Sequence, residues 1–371
     1  GSTGQYFSTP TAVFVAFGTP PEQRTFLVRS EAGEQDLSKL ADLDALVNAV
    51  ARGELDARLG SEQLRAIVGR SPRVPALVRL AVHPLVAAPA ALLLGGGPRE
   101  ALVAGGIGVL VGLLERLAER AEPVARLFLL LGSMVASVSA AVAGVFLPDL
   151  AVQLATVAGI YMLVPGLSLT TAMNEIATGH LVSGTARVSG AVVSFLSIAV
   201  GVAVGGALVA SLYPEAPAPV VTPHRGAYWP FLPFLGLLVA LPAVMVLLRA
   251  HVRDALPTLL VATCAFSAGQ LTTPLLGGAL GPPLGAAVAA LVLGAGSNAF
   301  ARITDRPAAL VMVPGILLLV PGSMGFRSVA SFLRRDVIAA VDTAFAVGLV
   351  AVSLVAGLLL ANLILPPRKA L

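Results

Sequence analysis

The sequence predicts a polytopic α-helical membrane protein. About ten transmembrane helices form two inverted five-helix repeats with broken helices, behind a small soluble α+β N-terminal domain. Three observations carry this: a composition too apolar for a soluble surface, a succession of apolar runs, and a match between the two halves. Of 371 residues, 57% are hydrophobic and 12% charged, about half the charged share of ordinary soluble domains. Mean hydropathy is +0.89. A bilayer needs no charged coat and accommodates such a chain. The 38 Gly and 27 Pro agree, since membrane helices tolerate both. The net charge of +4 is small, and the basic residues lie between apolar runs. They therefore point to topology and away from nucleic acid. A single cysteine, Cys264, excludes an intrachain disulfide and a cysteine-built metal site; no metal and no cofactor is expected.

Residues 1–75 read as the soluble, cytosolic domain. Tyr6-Phe7 and Ala12-Val13-Phe14-Val15-Ala16-Phe17 have strand character, closed by Gly18-Thr19-Pro20-Pro21, with Phe26-Leu27-Val28 as a hairpin partner. Leu37, Leu40, Leu43, Leu46, Val47 and Val50 recur at helical spacing. Asp36 is placed to cap that helix and Arg52-Gly53 to end it. A shorter helix follows, with Ser61 as its cap and Leu64, Ile67 and Val68 on its apolar side. The sequence opens without Met or a signal peptide. Gly1-Ser2 reads as a fragment boundary or a cloning scar, so an N-terminally truncated domain is expected.

Apolar runs of spanning length lie near 76–96, 99–115, 123–146, 149–173, 184–212, 229–249, 257–276, 280–301, 307–331 and 336–365. They group into a first repeat over 76–212 and a second over 229–365. With the N-terminal domain in the cytoplasm, the inner loops hold Arg116, Arg120, Arg126, Arg187, Arg249, Arg253, Arg302, Arg306, Arg368 and Lys369. The outer side then holds Arg99, Arg225, Arg327, Arg334 and Arg335. The imbalance favours inside termini.

Tyr161-Met162-Leu163-Val164-Pro165-Gly166 matches Leu317-Leu318-Leu319-Val320-Pro321-Gly322 at an offset of 156 residues, which also places Asp149 on Asp305. Five spans per half is an odd number, so the second half crosses the bilayer upside down relative to the first. Inverted repeats of this kind are common among secondary transporters. Each matching run breaks at Pro-Gly, since proline removes an N–H and clashes with the preceding turn while glycine relaxes the backbone. A helix restarting beyond, at Leu167 or Ser323, presents free N–H groups and a positive dipole end to an anion such as a carboxylate.

Polar residues crowd behind the first break: Ser168, Thr170, Thr171, Asn174, Glu175, Thr178, His180, Ser183, Thr185 and Arg187. Thr171, Asn174 or Glu175, and Thr178 share a helix face. A carboxylate at membrane depth faces a cavity or a partner. Glu175 therefore reads either as the contact for a substrate ammonium or a coupling proton, or as one half of an ion pair with Arg187 or His180. Behind the second break stand Ser323, Arg327 and Ser328, with Asp342 near enough in sequence to pair with Arg327, Arg334 or Arg335. Gln270 and Asn298, inside other spans, either line a path or bond to neighbouring helices. Gly201-x-x-x-Gly205 and Gly281-x-x-x-Gly285 read as close helix contacts. No zinc-protease pair, nucleophile elbow or P-loop is present, so the chain reads as a secondary active transporter and not as an enzyme.

The stretch from Val164-Pro165-Gly166 through Thr170-Thr171-Ala172-Met173-Asn174-Glu175 to Gly179-His180-Leu181-Val182-Ser183-Gly184-Thr185-Ala186-Arg187 resembles the hallmark of the threonine/serine exporter family. Val313-Pro314-Gly315 and Val320-Pro321-Gly322-Ser323 resemble its partner domain, and Phe7-Ser8-Thr9-Pro10-Thr11 and Gly53-Glu54-Leu55 resemble its N-terminal domain. Glu175 stands where relatives usually carry Asp, and Thr171 where many carry Asn. The resemblance implies a bacterial inner-membrane protein of ten spans with a cytoplasmic N-terminal domain, exporting small hydroxy amino acids on the proton motive force.

The expectation is thus proton-coupled export of threonine and serine by alternating access. Pro165, Gly166, Ser168, Thr170, Thr171, Asn174, Glu175, Pro321, Gly322 and Ser323 would hold the substrate. Glu175, His180, Arg187, Arg327 and Asp342 would couple the proton or gate the path, and Gln270 and Asn298 would line it. Threonine, serine or similar amino acids, protons and the lipid bilayer are the expected partners, with a homo-oligomer left open. A dicarboxylate exporter, with Arg187 or Arg327 facing a second carboxylate, is one alternative. A membrane scaffold or sensor that transports nothing is another.

Overall fold

The structure, a computed structural model, describes residues 4–9, 12–18, 22–29, 35–70, 74–147, 149–214, 231–319 and 337–367. Strands β1 (Gly4–Thr9), β2 (Ala12–Phe17) and β3 (Arg24–Arg29) form an antiparallel sheet in that order. The 26–28 segment pairs with β2 as expected, and β1 lines the other edge of β2 with Phe7 opposite Phe14. Cross-strand rings tie the sheet, with Tyr6–Phe17 centroids 6.1 Å apart and Phe17–Phe26 6.5 Å apart on one face. Thr19, Pro20 and Pro21, expected to close the turn, lie outside the described residues.

Helix α1 (Leu37–Ala51) begins at Asp36, whose carboxylate accepts the Lys39 N–H at 2.9 Å and the Ser38 hydroxyl at 2.7 Å. It ends at Arg52, before Gly53 at φ +75°. Its expected stripe is only partly buried: Leu37 and Leu46 are covered, while Val47 and Val50 are exposed. The reason is that α1 docks end-on. Leu37 and Ala41 join a buried cluster of the helical bundle with Val82, Val86, Val244, Leu248, Phe300 and Leu310. The Leu37 N–H donates to the Leu248 carbonyl at 2.9 Å, and Arg249 Nη1 lies 3.5 Å from Asp36 Oδ2. Helix α2 (Ala57–Val68) starts at Asp56, not at Ser61, which lies in its second turn. Ile67 is buried, but Leu64 and Val68 are exposed, because α2 meets α1 where Gly60 abuts Val50.

The bundle comprises α3 (Ala76–Leu93), α4 (Pro98–Ala118), the short α5 (Glu122–Arg126), α6 (Phe128–Phe146), α7 (Val152–Gly159), α8 (Gly166–Ala177) and α9 (Leu181–Leu212). The second half continues with α10 (Leu232–Leu247), α11 (Ala255–Leu276), α12 (Gly281–Thr304), α13 (Ala309–Leu319) and α14 (Val337–Ile364). Each of the ten apolar runs contains helix. Among the described residues seven helical segments are long and apolar enough to cross a membrane, and α10 and α13 are shorter apolar helices. The fourth run is two helices, α7 and α8, with a non-helical stretch between them.

Close glycine contacts set the bundle's geometry. A Cβ on Gly201 of α9 would run into the Leu130 carbonyl and Ser133 of α6, and one on Gly357 of α14 into the Ala287 carbonyl of α12. These two glycines stand 156 residues apart, and so do the stretches they touch, to within a residue. The offset recurs elsewhere. Asp149 and Asp305, in the turns after α6 and α12, adopt left-handed backbones with φ +70° and +56°. The Tyr161 hydroxyl donates to the Leu317 carbonyl, 156 residues away, at 3.1 Å. An acid near the start of α4 and another at the start of α11 secure these turns. Buried Glu100 accepts the Gly97 and Ala151 N–H groups at 2.8 and 3.1 Å, and buried Asp254 is forked by Arg306, with Nη2–Oδ2 at 2.9 Å.

Two outcomes are expected. Gly357→Val drives a side chain into a backbone carbonyl that cannot swing aside, costing about 1–3 kcal/mol; a lowered unfolding temperature in detergent, with Gly348→Val as control, checks it. Burial pushes the Asp36 carboxyl up, but the Lys39 N–H, the Ser38 hydroxyl and the Arg249 guanidinium outweigh it and hold it below its usual range. Its contribution to α1 docking is therefore complete above the unfolded value of about 3.9 and lost as pH falls through the lower folded value. Asp36→Ala removes it at every pH, at a cost of about 1 kcal/mol, read as faster hydrogen exchange across α1.

Candidate functional site at the broken helix

Helix α7 stops at Gly159, where a Cβ would collide with Ile107 of α4. The chain then leaves the helix over 160–165 and resumes it at Gly166. The interruption expected at Pro165-Gly166 is thus six residues long and lies on the N-terminal side of that pair. Local bonds satisfy much of its backbone: Leu163 N–H to Ile160 O at 2.8 Å, Gly166 N–H to Val164 O at 2.7 Å, and Leu169 N–H to Pro165 O at 3.1 Å. Tyr161 ties it to α13 through Leu317. The first N–H groups of α8 have no carbonyl within their own helix to bond. This end of α8 lies against the second half, with Leu167 packed on a cluster holding Ala265, Leu293, Ile316 and Leu354.

Thr170 is buried, and its hydroxyl donates to the Gly166 carbonyl at 3.3 Å. Thr171 and Asn174 are half-buried, while Ser168, Thr178 and His180 are exposed. Glu175 is paired with Arg187 of α9, whose Nε lies 2.9 and 3.0 Å from the two carboxylate oxygens. The Glu175 side chain is 19% exposed in that pair. His180 meets Glu175 only through its backbone N–H, at 2.7 Å from the Glu175 carbonyl. At the helical rise of about 1.5 Å per residue, Glu175 stands about 13 Å from Gly166. A substrate of threonine's size cannot span both, and the structure does not bring them together.

Three other sequence candidates lie on helices of the second half. Asn298 is buried, and its amide donates to Asn362 Oδ1 at 2.9 Å and to the Leu365 carbonyl at 2.8 Å, tying α12 to the end of α14. Gln270 and Asp342 are exposed, on α11 and α14. Pro321, Gly322, Ser323 and Arg327, like Ser328, Arg334 and Arg335, lie outside the described residues. Helix α13 runs through Pro314-Gly315 unbroken.

Sequence reasoning missed further charged groups in the bundle. His83 of α3 bonds Glu115 of α4 at 2.7 Å, and Arg79 pairs with Glu119 at 2.7 Å. A lone histidine inside an apolar run was the available signal. On the face that receives α1, a cleft of about 860 Å³ is lined by residues including Asp42, Leu46, Ile67, Arg70, His251 and Arg253. Asp42 pairs there with Arg70 and lies 3.7 Å from His251 Nε2. Among the described residues no group of three or more His, Cys, Asp or Glu side chains is placed to hold a metal.

A family model described as "Putative threonine/serine exporter" matches residues 1–209, and another, "Threonine/Serine exporter, ThrE", matches residues 235–364. The chain is 26% identical over 332 residues to the "Probable threonine/serine exporter" of Mycobacterium tuberculosis, covering 86% of this chain and 60% of that protein. It is 24% identical to the "Pheromone-regulated membrane protein 10" of Eremothecium gossypii, covering 87% of this chain and 44% of that one. Against the protein of the same name in Saccharomyces cerevisiae it is 25% identical, over 88% of this chain and 42% of the other. The chain thus spans roughly two fifths to three fifths of these relatives' lengths. No solved structure matches it.

The Glu175–Arg187 pair yields a direct prediction. Arg187→Gln strands a half-buried carboxylate and lowers stability by about 1.5–3 kcal/mol, whereas adding Glu175→Gln restores part of the loss. Thermal unfolding of the two single variants and the double variant measures the coupling.

Proposed function

The chain belongs to the threonine/serine exporter family, and from that premise we propose that it exports threonine and serine across a bacterial inner membrane. In this reading it is a secondary transporter, coupled to protons, with its N-terminal residues 1–75 in the cytoplasm. The observation that carries the reading is the unwound 160–165 segment. It exposes a helix N-terminus inside a multi-pass bundle, against helices of the opposite half. Such an end supplies N–H donors and a positive dipole to a substrate carboxylate.

Alternating access follows if 76–212 and 229–365 are inverted repeats of five crossings each. The recurrent 156-residue offset supports that arrangement: paired left-handed aspartates, paired close glycines, and a hydrogen bond joining position 161 to position 317. In this arrangement Pro165 and Gly166 open the first-half site, and Ser168, Thr170 and Thr171 flank the substrate. Pro321, Gly322 and Ser323 are the second half's contribution. Asn174 and Glu175, two to three turns further along α8, belong to the route between site and water. There the Arg187 pair, with His180 beside it, acts as a gate that substrate passage must open.

Reconstituted protein in liposomes tests the reading. Threonine movement that depends on an imposed pH gradient and falls with excess serine is the expected result. Folded protein that moves succinate and not threonine would replace it with the dicarboxylate reading.

A further inference from the structure

The proton has no evident carrier in the site just described. Glu175 is held by a fixed cation, Arg187, on both its oxygens, and Asp342 is exposed. The bundle does hold another titratable pair. His83, 5% exposed, places Nε2 at 2.7 Å from Glu115 Oε2. Two glycines of α4 make its slot: a Cβ on Gly108 would lie 2.8 Å from the His83 carbonyl oxygen, and one on Gly112 2.8 Å from His83 Cδ2. The slot also sits on a weak point of α3. Pro84 follows His83 directly and has no N–H for the Leu80 carbonyl, and Pro89 repeats the defect a turn and a half later.

Arg116 and Arg120 follow Glu115 in the chain, and α5, packed against α4, carries Glu122 and Arg126, which pair with each other at 2.6 Å. One turn earlier on α3, Arg79 pairs with Glu119 of α4 at 2.7 Å and acts electrostatically on Glu115; its buried Nε has no hydrogen-bond partner. The other helices packed against α3, α7 and α10, carry no titratable side chain. Tyr161 packs on the same buried cluster as Val82 and Val86, and its hydroxyl is engaged by Leu317.

We propose that His83 and Glu115 together bind the coupling proton. The assignment rests on the proton-coupled reading above and names where the proton is held. With the proton, Arg79, Glu119, Glu115 and His83 sum to zero charge around a His83 side chain that is 6% exposed, while Glu115 and Glu119 are 35% and 41% exposed toward the C-terminal end of α4. Without it, the four carry one negative charge beside the buried imidazole. Loss of the proton therefore frees Glu115 to turn further outward, and the proline-weakened α3 supplies the play for that movement. Histidine suits the task because its ordinary titration falls between about pH 5 and 8.

The test uses the full chain in liposomes and compares wild type with His83→Gln and Glu115→Gln. Two activities are read: threonine–threonine exchange at equal pH, which moves no net proton, and uphill movement driven by a pH gradient. The expected result is exchange kept within about twofold, gradient-driven movement reduced about tenfold or more, and loss of the wild type's pH dependence between about 5 and 8. Unchanged gradient-driven movement in both variants overturns the assignment. Loss of exchange together with gradient-driven movement in both also overturns it, by making the pair part of the scaffold. A wild type that exchanges threonine but ignores the gradient removes proton coupling itself, and the assignment with it.

Discussion

Inside a bilayer, water is absent as a hydrogen-bonding partner, so every departure from regular helix must be answered by the protein. An unanswered amide or carbonyl there costs several kcal/mol. The 160–165 segment meets this demand with short local bonds and with the Tyr161 hydroxyl, which reaches across to α13. Around it, helices approach closely enough to exclude lipid. Gly201 and Gly205 let α9 settle on α6, Gly357 does the same for α14 on α12, and Gly281 and Gly285 for α12 on α11. The break is affordable only because the surrounding contacts are this close.

The same scarcity of water organises the charges. Asp254 is forked by Arg306, Glu175 by Arg187, and Glu100 is neutralised by two backbone N–H groups at a helix start. His83 and Glu115 differ in kind, because the carboxylate there faces an imidazole at 2.7 Å in place of a guanidinium or backbone N–H groups. At the face that receives α1, Asp36 does double service as helix cap and as partner of Arg249. A single side chain thereby sets both where α1 begins and where it docks.

Much of the fold was legible in the sequence. Apolar runs located each long helix among the described residues, and the Asp36 cap and Gly53 stop bounded α1. What was not legible depends on contacts distant in the chain. Val47 fits the α1 stripe by spacing, yet it is exposed, because α1 buries Leu37 and Ala41 against the bundle and meets α2 where Val50 touches Gly60. The sequence leaves Asn298 either as a path residue or as a bond to a neighbouring helix, and the end of α14, with Asn362 and Leu365, supplies the bonds. The helix break at 166 could be read from Pro165-Gly166, but its six-residue length reflects Gly159 against Ile107, which no local pattern encodes. His83 and Glu115 sit 32 residues apart in sequence and only helix packing makes them a pair.

The bond from Tyr161 to Leu317 has one more implication. Two halves that could trade shapes freely would leave the molecule indifferent to which side it faced. Here the phenol has no counterpart, because position 317 is leucine and offers only its backbone. In the proposed exchange of shapes between the halves, one of the two arrangements has a hydrogen bond that the other lacks, worth about 1 kcal/mol, or a several-fold tilt in occupancy. On that proposal a single oxygen atom sets the resting posture.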